Sequence, residues 1–146
     1  MKSVLYFLGL AVVALFLVRL IPADSEPFHE DPAEPERQRS EVRLIGRDAP
    51  RFEADANTVL TTLLGIARSD WRVGLVEGSV DEGMITLVAR STVFGFRDYI
   101  TFKATDEAGG SKLSVYARPR MNAYDWGVNQ KRLDRWLSKL EQALAG

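Results

Sequence analysis

The stretch "YDWGVNQKR", residues 124–132, gathers an acid, a glycine, an amide and an arginine at the mouth of what apolar spacing predicts to be the last helix. Arg118 and Arg120 stand just upstream. Guanidinium groups near a helix amino terminus make a notch suited to an anion, because charged donors and orphan backbone N–H groups converge there. The same residues suit a second task. Asp125 stands where an N-cap is wanted. Asn129 falls near the middle of the helix's apolar stripe, with Asp125 and Arg132 at its edge, so the three would clamp the helix to a sheet end, with Arg120 closing an ion pair. Gly127 is a poor helix former and implies that something approaches the backbone closely. Arg118, Arg120, Asp125, Asn129 and Arg132 are therefore the candidate binding residues, with the structural clamp ranked ahead of the anion notch. A catalytic Asp125 would need a second titrating partner to tune it, and none is evident. No catalytic residue is assigned.

Composition narrows the chemistry. With 19 basic and 20 acidic residues the net charge is −1, which argues against nucleic acid as a partner. The chain has no cysteine, so disulfide and thiolate chemistry are excluded. Its one histidine, His29, lies in a Pro- and acid-rich stretch and reads as a solvated linker residue. Zinc sites draw on several His or Cys ligands, so no metal or cofactor is expected, nor a Ser–His–Asp triad.

The elements that must position these residues follow from hydropathy and turn signals. Val4 to Val18 is unbroken apolar or glycine, and Leu20 and Ile21 extend the run past Arg19. About 18 residues at 1.5 Å each give about 27 Å, near the roughly 30 Å of a hydrocarbon core, and Arg19 can snorkel. The rival is a cleaved signal peptide, with Lys2 as its basic region and "ADS" at 23–25 as its small residues. The length of the run and Pro22 beside any cut favour an uncleaved transmembrane anchor over residues 1–21. That placement implies a single-pass membrane protein whose folded domain lies on the periplasmic side.

Residues 22–40 carry four prolines and six acids. They cannot bury enough apolar area to offset ordering entropy, so a disordered, extended linker is expected. Arg37, Arg39, Arg43, Arg47 and Arg51 follow, as a solvated segment or, alternatively, a membrane-facing collar.

The folded domain is placed at 41–146. Val59, Leu60, Leu63, Leu64, Ile66 and Ala67 recur at helical spacing behind Glu53 and Asp55, which suit a helix start. Strand-like runs follow at 71–77, 84–91, 96–104 and 112–118, with hairpin signals "DEG" at 81–83 and "DEAGG" at 106–110. The closing helix, about Asp125 to Leu144, carries Trp126, Leu133, Trp136, Leu137, Leu140, Ala143 and Leu144 on one stripe. The expected fold class is α+β: a four-stranded antiparallel sheet with two helices packed on one face, preceded by the N-terminal transmembrane helix and the disordered linker.

Two segments carry a family resemblance. "ARSTVFGFRDYITFK" and "VYARPRMNAYDWGVNQKRLDRWLSKL" are similar to the DUF1499 family, a domain of unknown function. Phe94, Phe96 and Asp98 match its aromatic-x-aromatic-x-Asp pattern, and Arg120, Asp125, Gly127, Asn129 and Arg132 match its second motif. Ala117 and Pro119 replace serines, Asn122 a glycine and Tyr99 an acid. The resemblance implies no established activity, only a small domain often exported or membrane-associated.

The expected function is a membrane-anchored, extracytoplasmic binding or accessory domain of the cell envelope. Its expected partners are the membrane, through the N-terminal helix, and a lipid, an anionic small molecule or an envelope protein. One alternative is a small envelope enzyme using Asp98 or Asp125 with Tyr116 or Tyr124. The other is a structural interaction module meeting its partner through exposed aromatics such as Tyr99 and Trp71.

Overall fold

Alternation of apolar and polar residues in four successive runs fixes which side of each strand can be buried. In the computed structural model, which describes residues 2–20, 28–34, 41–91, 95–120 and 127–146, these runs become β3 (Val73–Ser79), β4 (Met84–Arg90), β5 (Arg97–Glu107) and β6 (Gly110–Pro119). They form an antiparallel meander, with Leu87 opposite Ile100 and Ile100 opposite Ala117. One register shift, between Leu75 and Glu77, marks a bulge in β3 that turns Val73 and Leu75 toward the buried side.

The expected four-stranded sheet is corrected to six strands. β1 (Val42–Leu44) and β2 (Arg51–Phe52) both pair antiparallel with β6, so the order is β1-β6-β5-β4-β3 with β2 beside the other half of β6. At three and two residues, they are too short to show a period. They exist because β6, ten residues long, offers an edge that needs partners.

The helices α2 (Ala56–Arg68) and α3 (Val128–Leu144) cover one face. Asp55 caps α2, accepting from the Thr58 backbone N–H at 2.9 Å, a contact worth about 1 kcal/mol. Val59, Leu60 and Leu63 from α2 and Leu133, Trp136 and Leu140 from α3 meet Ile85, Leu87, Ile100, Phe102, Leu113 and Val115 of the sheet in one core. Side chains fill the space between the layers.

A third helix, α1 (Lys2–Leu20), precedes the domain. Among the described residues no helix is long and apolar enough to cross a membrane. This overturns the expected transmembrane anchor, and with it the single-pass placement and the periplasmic domain. The disordered linker is also corrected in part. Residues 28–34 lie against the sheet, and the remainder of 22–40 falls outside the described residues.

Gly110 tests the two-strand supplement. Its φ is +151°, and a Cβ there would stand 1.9 Å from the Phe52 carbonyl oxygen. Gly110→Ala is expected to drive β2 off β6 and to cost at least the roughly 1–3 kcal/mol of a strained backbone position. Urea unfolding gives the loss, and faster amide exchange confined to residues 51–53 and 111–113 gives its location.

Candidate functional site

Four of the five candidate residues lie among the described residues, and they do not form one cluster: Asn129 and Arg132 sit on α3 over one face of the sheet, Arg118 and Arg120 on the other. Asp98 opens β5 on the helix side. Arg132 Nη1 donates to Asp98 Oδ2 at 3.2 Å and to Asn129 Oδ1 at 2.6 Å. All three side chains are buried, and the spacing of 129 and 132 puts both on the same side of α3. Among the described residues, Arg132 thus joins α3 to the sheet end through Asp98, an acid that the sequence did not link to it. Asp125 lies outside the described residues, as do Phe94, Tyr124 and Trp126. Gly127, not Asp125, occupies the N-cap of α3, with φ +76°. A Cβ on Gly127 would meet nothing within 4 Å, so this glycine serves a left-handed turn and not a close approach.

Arg118 and Arg120 belong to the outer face. There residues 28–34 form a strap held by side-chain contacts. Phe28 stacks on Tyr99 with ring centroids 3.9 Å apart, and the Arg118 guanidinium lies 4.7 Å from the Phe28 centroid. Glu30 pairs with Arg118 at 3.6 Å, and Lys103 donates to Asp31. Tyr99, expected as an exposed partner-seeking aromatic, is therefore buried, whereas Trp71 is 87% exposed.

His29, read from composition as a solvated residue, is bonded to buried Thr86, with Nδ1 2.7 Å from Oγ1. The direction of this chain follows from counting protons. Thr101 donates its single hydroxyl proton to the Phe28 carbonyl at 3.0 Å. Thr86 must then donate to Thr101 across 2.8 Å, which leaves Thr86 to accept from the Nδ1–H tautomer of the His29 ring.

Above the strap, four arginines share one rung of the sheet. Arg90 faces Arg97 directly. Arg72 accepts the Arg90 backbone N–H at 3.1 Å, and Arg120 donates its own backbone N–H to the Arg97 carbonyl at 2.9 Å. Residues two apart share a face, so Arg118 adjoins this row through Tyr99. Arg97 is buried. Burial, and then the charges of Arg90 and Arg120, bring its guanidinium below the ordinary arginine range against an opposing effect of Tyr99. Asp70 bonds Arg72 at 3.4 Å, and among the described residues Arg90 has no acid partner. Arg72, Arg90 and Arg97 were missed in the sequence. Their signal was their spacing from the hairpin turns, which pairs 97 with 120 directly but 72 with 90 only once the bulge in β3 is known.

The Asp–Tyr pairs considered for catalysis do not assemble among the described residues. Asp98 is engaged by Arg132 on the helix face, while Tyr116 lies on the outer face with the Arg43 guanidinium 4.4 Å from its ring centroid. Burial above all raises the pKa of the Tyr116 phenol, assisted by Glu41 and opposed by Arg118 and Arg43. Among the described residues no group of three His, Cys, Asp or Glu could hold a metal.

Fold and site together define a small α+β domain with a buried acid–arginine clamp on one face of its sheet and an arginine rung on the other. The family model described as a protein of unknown function, DUF1499, matches residues 24–140, most of the chain, and the chain belongs to the DUF1499 family. No curated protein and no solved structure matches it.

Two predictions follow from these contacts. Arg132→Met strands the buried Asp98 carboxylate and is expected to cost about 3–5 kcal/mol by urea unfolding, whereas the double variant Asp98→Leu/Arg132→Met removes both charges and should regain most of that loss. In the strap, burial works to raise the Asp31 pKa, but the Lys103 hydrogen bond and the Ala33 backbone N–H outweigh it and bring it below the ordinary value. A depressed folded pKa contributes stability above the unfolded value of about 3.9 that is lost as pH falls through the folded one. Amide exchange at residues 29–34 should therefore accelerate below about pH 4. In Asp31→Asn it should be fast already at pH 7 and lack that acid step.

Proposed function

We propose that this domain is a binding module for an anionic ligand, held across the arginine rung on the outer face of the sheet. The observation that supports the reading is the rung itself. Arg72, Arg90, Arg97 and Arg120 sit on neighbouring strands, at a spacing of about 4.8 Å per strand. Like charges directly opposite one another across a ladder are destabilising. An anion lying over the rung would meet this concentration of positive charge with charge-assisted hydrogen bonds, which guanidinium groups make in bidentate form.

Binding is favoured over catalysis because, among the described residues, the rung brings together donors and positive charge without a general base. Asp98 is turned to the other face and bonded to Arg132, and Glu30 and Asp70 are each occupied by an arginine.

Thermal unfolding of the full chain in sodium sulfate, against sodium chloride of equal ionic strength, tests the proposal. Chloride supplies the screening that would relieve repulsion without a site. Sulfate is expected to raise Tm by about 5 °C or more at concentrations well above its Kd. Arg90→Gln/Arg120→Gln should abolish that increment while raising the Tm in the chloride series. Equal responses to the two salts in the wild-type protein would refute the reading.

A further inference from the structure

Beside the rung, on the same outer face, a cavity of about 280 Å³ opens between β3 and β4, lined by Trp71, Arg72, Gly74, Val88, Arg90 and Ser91 among others. Two of its walls are the rung's own arginines. The rest is apolar or small. An apolar cavity of about 150 Å³ accommodates a benzene ring, so the volume admits one ring beside the charged wall.

Gly74 provides the room. It carries no positive φ, and a Cβ built on it would meet only Val88 Cγ1, at 4.0 Å. The backbone therefore does not require glycine here, and any larger residue would project into the space. Glycine inside a strand weakens it unless something comes close to the backbone. At the mouth stands Trp71, 87% exposed, with the Arg72 guanidinium 5.9 Å from its ring centroid. A large, flat side chain exposed to water beside a cationic wall is a surface on which a further ring can stack.

We infer that the ligand is a small aromatic anion, a ring bearing a carboxylate or phosphate, whose charged group lies on Arg72 and Arg90 while its ring fills the space over Gly74 and Val88 against Trp71. This rests on the anion-binding reading and adds to it the class of body that the anion carries. The position of Asp70, bonded to Arg72 at 3.4 Å, makes Arg90 the principal contact of the charged group.

The test is isothermal titration of the full chain with phenyl phosphate and with inorganic phosphate at matched ionic strength. Phenyl phosphate is expected to bind at least about ten-fold more tightly, the discrimination one stacked ring supplies. Gly74→Val, which fills the cavity, and Trp71→Ala, which changes an exposed residue, should each bring the ratio close to one while leaving the inorganic phosphate affinity unchanged. Trp71→Ala keeps the test valid should Gly74→Val fold poorly. If inorganic phosphate binds but phenyl phosphate binds no more tightly, or if its advantage survives in folded variants, the aromatic inference is wrong and the anion reading stands. If neither binds, both fail together.

Discussion

The uninterrupted register of the β4–β5–β6 ladder is the constraint on which the rest of the structure depends. From the Met84–Lys103 pair to the Arg90–Arg97 pair, and from Glu107–Gly110 to Asp98–Pro119, no residue is inserted. A pleated strand sends successive side chains to opposite faces, so this register alone commits Ile85, Leu87, Ile100, Phe102, Leu113 and Val115 to the helices. It commits Thr86, Arg90, Arg97, Tyr99, Thr101, Tyr116 and Arg118 to the outer face. The single bulge in β3 then carries the pattern one strand further. Without it Val73 would share the face of Arg90, and Arg72 would point into the core.

The two faces handle charge in opposite ways. On the helix side one guanidinium and one carboxylate are buried together, with the Asn129 amide oxygen as a second acceptor. Desolvation offsets much of the Coulombic gain of such a pair, so its main effect is geometric: it fixes where the first turn of α3 meets the sheet end. On the outer face several arginines lie near one another, and among the described residues Glu30 from the strap pairs with Arg118 and Asp70 from the turn before β3 with Arg72.

The strap shows why composition misleads for short segments. Residues 28–34 are acidic and proline-bearing, and alone they could not bury enough surface to order themselves. They do not need to. The outer face already presents a tyrosine to stack on, two threonine hydroxyls in series and two cations, so a few specific contacts suffice to hold a chain that has no periodicity. None of those partners is near in sequence. Thr86 lies 57 residues from His29, and Lys103 lies 72 residues from Asp31.

Local pattern was enough to place α2 with its Asp55 cap, α3 with its broad apolar stripe, the four long strands and both hairpins, since period and turn chemistry are properties of neighbouring residues. It was enough, too, for Asn129 and Arg132 to be read as groups turned into the packing face. The sequence could not supply their acid, because Asp98 reaches them only across the sheet, nor β1 and β2, which are too short to carry a period and exist as partners of β6. It also grouped Arg118 with Asn129 and Arg132, which lie on the other side of the sheet, because nearness in the chain says nothing about which face a pleat gives each residue. The arginine rung depends on three strand registers and one bulge at once. Such an arrangement is a sum over distant pairings, and only the tertiary structure fixes it.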